Sequence, residues 1–88
     1  MVSIKKVVLN PQGLHMRPAQ IFVAAMSKHP CDVSILFAGK KINGKSIMRV
    51  MGACIKKGSE IEIQCNGDGE NAALEEAVML IDSGFGEL

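Results

Sequence analysis

The sequence predicts an α+β open-faced β-sandwich: a four-stranded antiparallel sheet with three helices on one face, in the order β-α-β-β-α-β-α. Three observations carry that prediction. Segments of period two alternate with segments of helical period along the chain. The cleanest strand, Glu60-Ile61-Glu62-Ile63-Gln64-Cys65, turns Glu60, Glu62 and Gln64 to one side. One sheet face must therefore stay wet, as antiparallel sheets allow and buried parallel sheets do not. Finally, 88 residues of which 48% are hydrophobic supply one modest core, since a chain this short hides only about 60% of its unfolded surface. Residues 1–88 are expected to form one domain.

Each element has its own local reason. Val2 to Leu9 is rich in Val and Ile and is stopped by Asn10-Pro11-Gln12-Gly13, a strand followed by a loop. From Met16 to Lys28 the apolar positions Ile21, Phe22, Ala25 and Met26 fall at helical spacing. Pro18 is compatible with the first turn, where a backbone N–H has no intrahelical partner. His29-Pro30 ends the helix, because the residue before proline disfavours the α region. Val33, Ile35 and Phe37 alternate with Asp32, Ser34 and Leu36 in a second strand, Gly39 turns the chain, and Lys40–Asn43 has room for a brief third. Ser46 stands at the N-cap of a short helix carrying Ile47, Met48, Val50 and Met51. After Lys56-Lys57-Gly58 comes the half-exposed strand, then the turn Asn66-Gly67-Asp68-Gly69. Ala73, Leu74, Ala77, Val78 and Ile81 mark a final amphipathic helix, with Gly84 as its C-cap.

Composition removes several functions. Ten Lys+Arg against nine Asp+Glu leave a net charge of +1, without the basic surplus that phosphate neutralisation on nucleic acid requires. The three aromatics, Phe22, Phe37 and Phe85, make no base-stacking platform. The longest apolar run, Ile21–Met26, is far short of the ~20 residues that span a bilayer, so no membrane insertion is expected. The opening MVSIKKVVLNP breaks its apolar residues with two lysines and is not read as a secretory signal. Cys31, Cys54 and Cys65 form no CxxC pair, which fits free thiols of a cytoplasmic protein, most of them buried as small hydrophobes. His15 and His29 show no ligand spacing to these cysteines, so neither a metal nor a cofactor is expected.

Two motifs could carry chemistry. The first is Gly13-Leu14-His15-Met16-Arg17-Pro18-Ala19, a loop entering a helix. A histidine at the N-cap sits beside unpaired N–H groups that favour an anion by roughly 0.3–1 kcal/mol per charge. Arg17 adds a full charge and a fork of donors suited to phosphate. Imidazole, with a reference pKa of about 6.5, is nucleophilic at neutral pH. Together these make a phosphoryl-accepting site; the plainer alternative is an exposed capping histidine beside an unrelated arginine. The second motif, Gly39-Lys40-Lys41-Ile42-Asn43-Gly44-Lys45-Ser46, matches the G-x-x-x-x-G-K-S phosphate loop letter for letter. Nucleotide binding there would need a buried parallel sheet and an acidic metal-binding strand end. The chain offers neither, and Lys40–Asn43 reads better as a strand.

Ser46 at an N-cap contributes about 1 kcal/mol without any function, yet a phosphate there would turn a Met-rich surface strongly anionic. Met48 and Met51 share a helix face, a pattern commoner in cores than in docking surfaces. His29 is expected to serve the C-terminal end of its helix, where a cation is favoured. Lys40, Lys41, Lys56 and Lys57 read as solvated charges, and Glu75 and Glu76 as ordinary helix-surface acids.

GLHMRPA around residue 15 and GKSIM around residue 46, about thirty residues apart in this element order, resemble the HPr family. These are the histidine-containing phosphocarriers of the bacterial phosphoenolpyruvate-dependent sugar phosphotransferase system. The resemblance runs from the first strand to the closing SGFGEL. It implies that His15 takes a phosphoryl group on Nδ1 from phosphorylated enzyme I and passes it to enzyme IIA domains of sugar permeases, with Arg17 balancing the charge. The K-S-I-M form is similar to Gram-positive-type members. In these, Ser46 is phosphorylated by an ATP-dependent HPr kinase/phosphorylase, which lowers acceptance at the histidine and promotes binding to a catabolite-control transcription factor. Ile47, Met48 and Met51 match the family's hydrophobic docking patch, and Met16 and Arg49 are expected to face partners on the same surface. The resemblance thus implies a cytoplasmic, monomeric carrier with no turnover of its own. The runner-up is an HPr-like regulatory paralogue acting mainly through phospho-Ser46; paralogues of that kind lack the histidine that is present here.

Three positions depart from the family pattern. Met16 replaces the small or hydroxyl residue usual beside the histidine, and Arg49 stands where glycine is common. Cys54 falls where the short helix ordinarily finds its glycine, so that either a non-glycine residue takes left-handed geometry or Gly52 ends the helix early.

Overall fold

The computed structural model describes all 88 residues. It orders them as β1 (Val2–Val7), α1 (Met16–Ser27), β2 (Asp32–Phe37), β3 (Lys40–Asn43), α2 (Ile47–Gly52), β4 (Glu60–Asn66) and α3 (Glu70–Asp82), followed by a 3-10 turn over Gly84–Gly86. The strands form one sheet in the order β1-β4-β2-β3, and every pairing is antiparallel. The predicted open-faced sandwich is the observed fold.

Register sorts the two faces. Ile4 lies opposite Ile63, Ile63 opposite Ile35, and Ile35 opposite Ile42, one row across all four strands on the helix-covered side. The adjacent row, Lys5, Glu62, Leu36 and Lys41, lines the open face, where Lys5 and Glu62 make an opposite-charge cross-strand pair. Against the covered face, α3 lies on β1 and β4, while α1 packs on α2 and α3. Phe22 and Met26 of α1, Ile35 of β2, Ile61 and Ile63 of β4 and Ile81 of α3 are at most 2% exposed. Each such side chain contributes roughly 1.5–3 kcal/mol of hydrophobic stabilisation. Cys31 and Cys65 join this core and Cys54 is exposed; all three are free thiols. Burial, with Cys31 alongside, pushes the Cys65 thiol up to about 11, so it packs as a neutral group at physiological pH. No helix is long and apolar enough to cross a membrane.

The boundaries differ from expectation for local reasons. β1 stops at Val7 rather than Leu9, because Val8 leaves the ladder for the Gly58–Ser59 turn. Its N–H donates to Ser59 O at 2.9 Å and its carbonyl accepts from Gly58 N–H at 2.8 Å. α3 begins at Glu70, three residues before Ala73, and the Glu70 carboxylate accepts from Gly67 N–H at 3.1 Å. At its far end Ser83 is the cap, and Gly84 lies one residue beyond at φ 61°. α2 runs through Gly52 to its cap at Ala53, and Cys54 takes the left-handed position at φ 54°. Of the two alternatives the structure takes the first: the non-glycine Cys54 is left-handed, and Gly52, the last residue of α2, is not.

Candidate functional site

The loop between β1 and α1 is clamped from below. Gly13 sits at φ 67°, and a Cβ there would lie 2.1 Å from Ile55 O, so no other residue fits without moving the backbone. Leu14, buried, donates its N–H to the same Ile55 carbonyl at 2.9 Å. This contact delivers His15 to the N-cap of α1 in extended geometry, where its ring makes no capping hydrogen bond. The helical ladder starts at Ala19 N–H to His15 O, 3.0 Å. The N–H groups of Met16 and Arg17 are left without intrahelical partners, and Pro18 has none to offer. A nucleophilic ring thus stands beside two free backbone donors at the positive end of a helix of 12 residues.

The ring is not free on both sides. Its Nε2 lies 2.9 Å from Oε2 and 3.2 Å from Oε1 of Glu87, just past the 3-10 turn. Asn10, fully buried, donates its amide to Glu87 Oε1 and to Gly84 O, both at 2.7 Å. The Asn10 amide, then the His15 ring and the Arg17 charge, hold the Glu87 carboxyl below the ordinary carboxylate range. The guanidinium of Arg17 is exposed on the first turn. Sequence reasoning missed both Glu87 and Asn10. Asn10 reads as a turn residue before proline, and no local pattern links Glu87 to a histidine 72 positions earlier.

Ser46 is the N-cap of α2, and its hydroxyl accepts from Arg49 N–H at 3.3 Å. Of the expected docking residues, Met16, Ile47 and Met48 are exposed, Met48 most of all at 84%. Arg49 is exposed too and lines a cleft with Lys40, Lys41, Phe37 and Met48. Met51 differs from these: it is half-buried and packed on the core.

The remaining polar residues find structural partners. Lys40–Asn43 is β3, and the lysine of the phosphate-loop pattern, Lys45, gives its ammonium to the His29 carbonyl at 2.5 Å. That pattern therefore forms no phosphate cradle. His29 gives its backbone N–H to Met26 O at the end of α1, 3.1 Å, and its Nε2 turns to Glu76 Oε1 on α3 at 2.7 Å. Glu76 is accordingly more than a surface acid, because it also receives Lys28 at 3.4 Å. No group of three His, Cys, Asp or Glu is arranged to hold a metal ion.

A family model described as "PTS HPr component phosphorylation site" matches residues 2–83. The chain is 38% identical over 82 residues to the phosphocarrier protein HPr of Chlamydia pneumoniae, covering 93% of this chain and 76% of that one. Among solved structures it superposes on HPr-C-His from Thermoanaerobacter tengcongensis with a TM-score of 0.96 at 36% identity, over 100% of this chain and 99% of that one. It is also similar to Crh, the Bacillus subtilis catabolite repression protein described as a swapped dimer. That match has a TM-score of 0.76 at 34% identity and covers 96% and 97% of the two chains. With the family model spanning nearly the whole fold and these relatives more than 30% identical over at least nine-tenths of it, the chain belongs to the HPr family of phosphotransferase-system phosphocarriers.

Proposed function

We propose that His15 is the phosphoryl acceptor, relaying the group from phosphorylated enzyme I to enzyme IIA domains of sugar permeases. The observation that carries this reading is the placement of the His15 ring at the N-cap of α1, beside two unpaired N–H groups and two residues from Arg17. In the transfer the Nδ1 lone pair forms the P–N bond as the bond between phosphorus and its donor breaks. The arriving oxygens meet the helix N-terminus and the Arg17 guanidinium. The second transfer reverses these roles toward enzyme IIA, so the chain acts as a carrier between enzymes and has no turnover of its own. Met16, Ile47, Met48 and Arg49 form the surface that partners read, with Met51 supporting it from the core side.

Ser46 is the regulatory position in this reading, phosphorylated by an HPr kinase/phosphorylase and then recognised by a catabolite-control transcription factor. Its hydroxyl is spent only on a 3.3 Å cap contact. The protein works as a cytoplasmic monomer in one HPr-type domain over residues 1–88, without nucleic acid and without membrane insertion. The likeness to Crh favours a second reading, a regulatory paralogue working through phospho-Ser46. The intact His15–Arg17 pair speaks against it.

Intact-mass measurement after incubation with enzyme I and phosphoenolpyruvate tests the reading. The expected result is one acid-labile phosphoryl group, absent from His15→Ala, whose fold is preserved. No gain with a competent enzyme I overturns it in favour of the regulatory paralogue. In the same assay Ser46→Asp is expected to slow acceptance, and an unchanged rate removes the regulatory role.

A further inference from the structure

We propose that Glu87 is a positioning residue for His15, fixing the ring as the Nε2–H tautomer so that Nδ1 presents the lone pair that accepts phosphorus. This inference rests on the acceptor role of His15 and deepens it.

The geometry is one-sided. Both hydrogen bonds to the ring fall on Nε2, at 2.9 and 3.2 Å from the two Glu87 oxygens. An ionised carboxylate only accepts, so Nε2 must donate. In the neutral ring the proton is then on Nε2 and Nδ1 is the acceptor nitrogen. Attack by Nδ1 requires no proton to leave that atom. The phosphorus–nitrogen bond forms from its lone pair, the bond to the donor breaks with its electrons returning to the donor, and the Nε2 proton stays in place. The positive charge that develops on the ring then lies against the carboxylate.

Glu87 is itself held by a built arrangement. Asn10 is 0% exposed, and its Nδ2 is placed between two acceptors, Gly84 O and Glu87 Oε1. The opposite amide orientation would set an oxygen against both of them, so the chemistry decides the flip. The cost is visible in Asn10 Oδ1, which is buried with no hydrogen-bond partner, an arrangement native interiors rarely tolerate. A core that needed only packing at this position would take an apolar residue.

Three successive left-handed residues then turn the chain after α3: Gly84 at φ 61°, Phe85 at 54° and Gly86 at 80°. Phe85 accepts a conformation unfavourable for a side chain, anchored by burial and an edge-on contact with Phe22 at 6.4 Å between ring centres. The result of these unfavourable local choices is a carboxylate only 18% exposed against the His15 ring. Arg17 is the other charged group that this carboxylate feels.

The test is 15N NMR of the histidine ring nitrogens at neutral pH, which reads the tautomer without any phosphoryl donor. In the unmodified protein His15 is expected to show a protonated Nε2 and an unprotonated Nδ1. In Glu87→Ala the two signals should move toward the averaged mixture of a free imidazole, and phosphorylation by enzyme I should slow about tenfold, the loss of one charge-assisted contact. Glu87→Gln keeps an acceptor and is expected to restore much of both readouts. Unchanged ring signals in a folded Glu87→Ala overturn the proposal even if His15 carries phosphate. Failure of His15 to accept phosphate in the unmodified protein would sink the carrier reading while leaving the tautomer result intact.

Discussion

The two ends of α1 each place a histidine against a glutamate, and only one of them stands at the pole of the helix that favours an anion. At the start, His15 Nε2 meets Glu87 at 2.9 Å; just past the end, His29 Nε2 meets Glu76 at 2.7 Å. What differs is the backbone beside each ring. His15 adjoins N–H groups at the positive pole of the helix. His29 adjoins the carbonyl pole, where its own C=O already takes the Lys45 ammonium. An arriving anion is stabilised at the first position and repelled at the second. Exposure follows the same division, 35% for the His15 side chain and 18% for His29. A histidine–carboxylate pair is therefore a part that this fold uses twice, and the helix pole decides whether an anion is favoured beside it.

The largest effect that separates the poles is all-or-none. Phosphorylation should vanish in His15→Ala although His29 and its carboxylate are untouched, and should persist within about twofold in His29→Ala, since no transfer group is lost there. Stability should show the opposite pattern. Removing His29 leaves Glu76, a third exposed, with only the 3.4 Å contact to Lys28, which costs up to about 1 kcal/mol, while in His15→Ala the Glu87 carboxylate keeps its 2.7 Å bond from Asn10 and the midpoint of thermal unfolding changes less. Phosphate appearing on His29 in either variant, read by peptide mapping under alkaline conditions, would dissolve the distinction.

That comparison was only half legible in the sequence. The N-terminal pole could be read locally, because loop, histidine, arginine and first-turn proline are consecutive, and helix polarity follows from chain direction. The alternation of Glu60 to Cys65 likewise disclosed the wet sheet face and with it the fold class. The carboxylates were illegible for a physical reason. Glu87 and Glu76 reach their histidines across 72 and 47 positions of chain, through packing that no period or cap reports. The role of Lys45 was hidden too, since a lysine capping a carbonyl 16 residues earlier has the same local spelling as a phosphate-loop lysine.

Acid titration sharpens the comparison at intermediate size. His29 first, and Lys28 with it, holds the Glu76 carboxyl below the ordinary carboxylate range, and Asn10 and His15 do the same for Glu87. A carboxyl depressed in the folded state contributes stability that is fully present above its unfolded value of about 4.3 and is lost as pH falls through the folded value. Stability should accordingly decline on acidification below about pH 4.5, and Glu76→Gln and Glu87→Gln should each flatten that decline. Denaturant midpoints measured from pH 6 to pH 3 give the slope. An equally steep acid limb in both variants would show that other carboxyls carry it.

The smallest effect lies in the strap that holds the phosphate pole in place. Cys54 at φ 54° leads into Ile55, whose carbonyl receives Leu14 N–H at 2.9 Å and lies against Gly13. The thiol is exposed, so its side chain contributes little packing, while left-handed geometry costs a non-glycine residue roughly 1–2 kcal/mol. Phe85 has nearly the same φ, but its ring is 5% exposed, and there the packing outweighs the backbone. Cys54→Gly should therefore stabilise the protein by about 0.5–1 kcal/mol, the strain relieved less the entropy that glycine adds to the unfolded chain. Phe85→Gly, with the same backbone relief, should destabilise by about 3 kcal/mol or more. The sign difference between two residues of like φ is what denaturant titration must reproduce. A Cys54→Gly variant no more stable than the parent would mean that the strap tolerates its left-handed residue without cost, and that the Ile55 clamp beneath His15 is held by hydrogen bonding alone.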